Sequence, residues 1–159
     1  MQIYVMIRFK YGQSPKAVRQ TRPEGLLKAI AKQEIEMTPK VTGLIPMAHV
    51  ANVKRSVDFY KHLGMEVRGS LRLPSGELQW VHLASDQADI MFARASEPVI
   101  AGQQAVLFYL YSPDLIALRD HLLTSGVKVS PISYPDYMPK GEIRVDDPDG
   151  YCMLIGQAD

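Results

Sequence analysis

The sequence predicts an α+β fold in which one β-α-β-β-β unit is used twice, behind an N-terminal extension. Three observations carry this. His49–Val67 reads as the end of a strand, a tight link, a helix and the start of a second strand, and Leu107–Val129 is a looser copy. Gly64 and Gly126 fall at the same point of the two copies, as do Asp58 and Asp120, Tyr60 and Leu122, and Val67 and Val129. Each copy is followed by short apolar segments separated by turn residues, the pattern of strands rather than helices.

Residues 1–42 stand apart as an extension. Ile3, Val5, Ile7 and Phe9 alternate with Tyr4, Met6 and Arg8, which predicts a strand over Gln2–Phe9. Tyr11–Pro15 is a loop, and Pro23 suits the first turn of a helix over Glu24–Met37. This segment is too small to hold a core alone, so it is expected to pack on the main domain or on a partner subunit. The main domain is expected over 43–158, with modules 43–95 and 104–158.

The first module opens with a strand over Leu44–Val50, on which Ile45, Met47 and His49 share a face. Pro46 lacks an N–H and points to an edge strand or to a position where the N–H faces away. Asn52 caps a helix that runs to about Leu63 and buries Val53, Val57, Tyr60 and Leu63. Gly64 ends it in the left-handed conformation. Strands over Met65–Leu71, Glu77–Ala84 and Asp89–Arg94 follow, and residues 96–103 are a linker. The second module has a strand over Gln104–Tyr111 and a helix opened by Ser112-Pro113-Asp114, with Leu115, Leu118, Leu122 and Leu123 as its apolar stripe. A strand over Val127–Ser130, a loop over 131–141 rich in proline and tyrosine, and strands over Glu142–Val145 and Tyr151–Ile155 complete it. Between the last two, Asp147 is placed to accept turn amides, Pro148 pre-sets φ and Gly150 supplies a positive φ.

Composition narrows the function classes. The chain has 159 residues, 47% apolar and 22% charged, with a formal net charge of +1, so it has no electrostatic footprint for nucleic acid. The single cysteine, Cys152, excludes an intramolecular disulfide and a cysteine-rich metal site. The first ten residues lack the pattern of a signal peptide, and no window has the apolar length of a membrane span. A cytoplasmic location, with no membrane or nucleic-acid partner, is expected.

Ser56, Phe59, Tyr60, Leu63 and Gly64 in the first unit, with Asp147-Pro148-Asp149-Gly150-Tyr151 before the last strand of the second, resemble the vicinal oxygen chelate superfamily. That group includes glyoxalase I, bleomycin-resistance proteins, fosfomycin-resistance transferases and extradiol dioxygenases. The resemblance covers about 43–157 and speaks for a fold, not an activity. It implies an eight-stranded, incompletely closed, barrel-like sheet with helices on the convex face and a site in the concave cup. Metal-dependent members take ligands from the first and last strands of each module. Those positions fall here on Ile45, Met91, Leu107 and Leu154, none of which holds a hard or borderline divalent cation. The resemblance therefore points to metal-free members that bind apolar or aromatic compounds, with no cofactor. It also implies a homodimer, since in bleomycin-resistance relatives two subunits line each groove.

The expected ligand-binding residues are Met47, His49, Met91, Leu107, Tyr109, Tyr111, Leu154 and Arg144, with Ile45 beside them. An apolar wall with a few polar groups is the composition of a small-molecule pocket; the same apolar residues also suit a packed core. His49 is the best candidate for acid–base work, and Tyr109 and Tyr111 for stacking on a planar ligand. Trp80 and His82 share a face that the pattern leaves unassigned, so Trp80 is either a stacking platform or core. Glu142 and Arg144 share a face, to orient a polar ligand group or to form an ordinary cross-strand pair, and His62 and His121 sit on helices away from the cup. Tyr134 and Tyr137 lie in the loop at the expected mouth. The function expected is small-molecule binding, including drug sequestration. The alternatives are a metal-dependent lyase, isomerase or dioxygenase with ligands relocated to His49, His82 and Glu142, and a partner-binding module working through residues 1–42.

Overall fold

Seven strands and two α-helices order the residues that the structure, a computed structural model, describes, namely 40–159. The strand expected over Gln2–Phe9 and the helix over Glu24–Met37 lie outside them. The elements are β1 (Met47–Val50), α1 (Val53–Tyr60), β2 (Glu66–Arg72), β3 (Leu78–Ser85), β4 (Ala88–Arg94), β5 (Leu107–Ser112), α2 (Leu115–Thr124), β6 (Glu142–Asp146) and β7 (Cys152–Gln157). Short 3-10 turns cover Lys61–Leu63 and Ala101–Gln103.

Local chemistry sets the helix ends where the sequence placed them. The Asn52 side chain accepts from the Arg55 N–H at 3.0 Å, and Asp114 does the same for Ala117 at 2.9 Å. Gly64 follows the first helical segment at φ +75°, a conformation that costs a glycine little. Val53, Val57 and Tyr60 are buried on α1, and Leu115 and Leu122 on α2. Ser56 is also buried, where the spacing drew attention only to apolar residues. Leu63 and Leu118 are half-buried and Leu123 is exposed.

The strands form two separate sheets. Sheet A has the order β1-β4-β3-β2 and sheet B the order β5-β7-β6. In each, the first and last strands of the module pair in parallel: Met47 is opposite Met91, and Leu107 opposite Cys152. Among the described residues β1 is an edge strand, one of the two settings that Pro46 allowed. The eight-stranded sheet expected from the family is not reproduced among the described residues. Val127–Ser130 makes only a single bridge, between Val129 and Val145. One of its ladder positions is taken by a side chain, because the Arg144 N–H donates to Ser130 Oγ at 2.8 Å. Pro131 then removes the next donor.

The two modules share one hydrophobic core. Val50, Val81, Leu83 and Phe92 from sheet A meet Ile143, Val145, Met153 and Ile155 from sheet B, together with the buried faces of both helices. Each such side chain, fully buried, contributes about 1.5–3 kcal/mol. Among the described residues the opposite face of sheet A carries exposed side chains, and that of sheet B is covered in part by the loop 131–141.

The turn between β6 and β7 ties the modules together. Asp147 Oδ1 accepts from the N–H groups of Asp149 and Tyr151 at 2.9 and 2.8 Å, and the Tyr60 hydroxyl of α1 donates to Oδ2 at 3.4 Å. Asp149 Oδ1 accepts from the Ala51 N–H at 3.0 Å and from Arg55 at 3.1 Å. The Tyr151 hydroxyl donates to the His49 carbonyl at 2.9 Å. Gly150 stands at φ +85°, and a Cβ there would lie 2.6 Å from Ala101, so no other residue fits without movement. Burial pushes the Asp147 carboxyl above its ordinary range, partly offset by the two turn amides, and pushes the Tyr60 phenol up strongly.

Replacing Asp147 by Ala leaves two buried amides without their acceptor and is expected to cost about 2–4 kcal/mol in urea denaturation. Asp147→Asn keeps an acceptor and should cost much less. Because the folded carboxyl titrates above its unfolded value, wild-type stability relative to Asp147→Asn should fall as pH rises from the ordinary aspartate range through the raised one. Denaturation curves of both proteins at acid and neutral pH check this.

Candidate ligand-binding site

Strand pleating decides which side chains face outward. On sheet A, Met47, Met91 and His82 are in register across β1, β4 and β3, and His49, Ala93 and Trp80 form the next row. Their neighbours in sequence, such as Ala48, Val81, Leu83 and Phe92, point into the core. Trp80 therefore lies on the open face. Its indole leans over Gly69, where an added Cβ would touch the ring at 3.4 Å. His82 Nε2 is 2.6 Å from Asp89 Oδ1, a His–carboxylate pair within this apolar surface. Met47 and His49 are exposed, and Ile45 precedes β1 in the loop.

On sheet B the outward rows are Leu107 with Cys152 and Asp146, Tyr109 with Leu154 and Arg144, and Tyr111 with Gly156 and Glu142. The Tyr109 and Tyr111 rings are 5.4 Å apart between centroids. Gly156 leaves a gap in the last row that Met138 occupies: an added Cβ would meet the Met138 methyl at 2.8 Å. The loop 131–141 is thus folded onto this face, a close approach of the kind a strand glycine permits.

Glu142 is the polar centre of sheet B. Its side chain is only 5% exposed. Tyr109 donates to Oε2 at 2.7 Å and Tyr137 to Oε1 at 2.8 Å. Ionising either phenol would set two negative charges side by side, and the hydrogen bond to the carboxylate is the main cause of both upward shifts. Tyr109 is pushed up to about 12, and Tyr137 moves the same way.

The expected site residues are divided between the faces. Met47, His49 and Met91 stand on sheet A; Leu107, Tyr109, Tyr111, Leu154 and Arg144 stand on sheet B. A cleft of about 1140 Å³ separates the segment before β1 and the β3–β4 turn from β5, and brings Leu44 and Pro46 towards Leu107, Tyr109 and Tyr111. Arg144 does not pair with Glu142: its guanidinium turns to Asp146 at 3.0 Å, while Glu142 is taken by the tyrosines. The His62 and His121 rings lie 6.0 Å apart between centroids, tilted by 50°, where the 3-10 turn meets α2. His49, His82 and Glu142 do not form a metal site: among the described residues no three His, Cys, Asp or Glu side chains gather around one point. Sequence reasoning missed Met138 and Asp89. The signal for Met138 was Gly156, which the expected last strand stopped short of including.

The fold is that of an open-faced α+β protein with a pseudo-repeated module. A model of the Glyoxalase/Bleomycin resistance protein/Dioxygenase superfamily matches residues 46–153, and the chain belongs to that superfamily. The resemblance seen in the helix motif and the Asp-Pro-Asp-Gly turn therefore holds. A bleomycin-binding protein solved with bleomycin superposes with a TM-score of 0.61 at 14% identity, over 75% of this chain and 100% of that one. A bleomycin resistance determinant encoded on the transposon Tn5 gives a TM-score of 0.61 at 14% identity, over 75% and 99%. An antibiotic-binding protein from a Streptomyces species gives 0.55 at 18% identity, over 76% and 100%. At these identities the likeness is one of fold. Comparison with curated protein sequences finds no match. No helix of the described residues is long and apolar enough to cross a membrane.

If Glu142 holds Tyr109 protonated, Glu142→Gln should move the Tyr109 titration from about 12 towards the ordinary value of 10. Ultraviolet absorbance of tyrosinate across an alkaline titration, with Tyr109→Phe as the assignment control, checks this.

Proposed function

We propose that this protein binds a small apolar or aromatic molecule on the open faces of its sheets, without a metal, and sequesters it rather than transforming it. The observation that carries this reading is the set of side chains at the superfamily's ligand positions. Ile45 and Met91 on one side, and Leu107 and Leu154 on the other, offer no oxygen, nitrogen or thiolate to a divalent ion. Instead the open faces carry apolar and aromatic surface: Leu71 is 60% exposed, Met47 56%, Leu107 48% and Tyr111 66%. Patches of this kind mark ligand grooves or subunit contacts. The bleomycin-binding and antibiotic-binding proteins of similar fold support a small-molecule ligand.

A homodimer belongs to the same reading. The two open faces lie on separate sheets, so a second copy could set sheet A of one subunit against sheet B of the other and close a groove between them. Met47, His49 and Met91 would then face Leu107, Tyr109, Tyr111 and Leu154 across it. His49 would offer hydrogen bonds to the ligand, and a cytoplasmic location fits such a role.

Trp80 is the chain's single tryptophan and stands on the open face of sheet A, so its fluorescence reports on that face. Bleomycin and planar aromatics should raise the melting temperature and perturb Trp80 emission. A true ligand at about 100 times its Kd stabilises the native state by about 2.7 kcal/mol. The shift should be the same after exhaustive treatment with a chelator. No stabilisation across the panel, or stabilisation that appears only when a divalent metal is added, would sink the proposal.

A further inference from the structure

We propose that the Tyr109–Glu142–Tyr137 cluster is a subsite for an organic cation, an ammonium group carried on an aromatic or apolar body. The inference rests on reading the open face of sheet B as ligand-binding, and adds the chemical class of the group bound there.

The first ground is a buried charge without a countercharge. Glu142 is 5% exposed, and both its oxygens are held by phenols, which are neutral. Among the described residues no Lys, Arg or His pairs with it, and Arg144 on the same strand is engaged with Asp146. A carboxylate in this position is costly unless a cation completes it.

The second ground is what surrounds the carboxylate. Each phenol donates its proton to Glu142, so each phenol oxygen keeps lone pairs for an N–H from outside. Tyr111, Tyr134 and Tyr137 are each about two-thirds exposed, and the Tyr134 ring lies against Gly141, next to Glu142 in the chain. Aromatic faces attract ammonium groups and do so most strongly where water is partly excluded. Met138 and Leu154 supply apolar floor for the body of the ligand.

The same features disfavour the other classes. A hard divalent ion wants six or more oxygen ligands, and among the described residues no three His, Cys, Asp or Glu side chains gather here to supply them. An anion would meet Glu142 head-on. A neutral alcohol would gain the hydrogen bonds but not the charge. A purely structural role, pinning the loop 131–141 to the sheet, would make Glu142 indifferent to the charge of the ligand, and this is what the test must separate.

The full chain is titrated with 2-phenylethylammonium and with 2-phenylethanol, which share an aromatic body and differ in charge, with binding followed by calorimetry. Wild type should prefer the cation on the order of tenfold, the combined size of a cation–π and a charge-assisted contact. Glu142→Gln should bring the two affinities together. Tyr137→Phe, which keeps the charge but removes one donor to Glu142 and one acceptor for the ligand, should weaken the preference without abolishing it, and if Glu142→Gln fails to melt cooperatively, a preference left unchanged by Tyr137→Phe overturns the subsite. Equal affinities in wild type, a preference that survives in Glu142→Gln, or binding of neither probe overturns the subsite. If neutral aromatics still stabilise the protein in those cases, the broader binding function stands; if nothing stabilises it, both fall.

Discussion

The buried turn at Asp147–Gly150 is the interaction on which the rest of the molecule depends. Two carboxylates from the second module reach the backbone of Ala51, the guanidinium of Arg55 and the hydroxyl of Tyr60 in the first. These contacts fix the junction where β1 passes into α1. They are directional, whereas the core beneath them is apolar and tolerant of small slips. The turn thereby sets how one sheet lies against the other. It also places the carbonyl of His49 under the Tyr151 hydroxyl, anchoring the end of the strand that carries Met47 and His49 to the open face.

The open faces follow from that arrangement. Both helices and the inner face of both sheets are consumed by one shared core. Alternation along each strand then forces the remaining side chains outward, whatever their polarity. An all-polar outer surface would have been the cheap solution for solubility. Instead the outward rows carry methionine, leucine, tyrosine and tryptophan, and that departure calls for a functional reading.

Within those apolar faces two polar sites stand out, and they differ in kind. On sheet A, His82 and Asp89 satisfy each other, a pair whose charges compensate when the imidazole is protonated. On sheet B, Glu142 is surrounded by donors that carry no charge. One of the two sites holds an oppositely chargeable partner, and the other, among the described residues, does not.

Much of the architecture was legible in the chain. Asn52, Gly64, Gly150 and the apolar spacing on both helices specify caps, turns and buried faces through local chemistry, which acts within a few residues. The family followed from the same local motifs. The weak point was Val127–Ser130, an apolar stretch that looks like a strand but loses its ladder to the Ser130 hydroxyl and Pro131. The sites were legible only as faces: period-2 spacing puts Tyr109 with Leu107 and Glu142 with Arg144, but it says nothing about partners. Which carboxylate Arg144 would choose, with one two residues to either side on its own strand, and where Tyr137 would reach, five residues along the chain, turn on side-chain placement that period-2 spacing does not give, and which way Trp80 would point depends on how its strand packs in the sheet. Tertiary structure alone decided them, because hydrogen bonds and ring contacts depend on a few ångströms of placement that the whole core must supply.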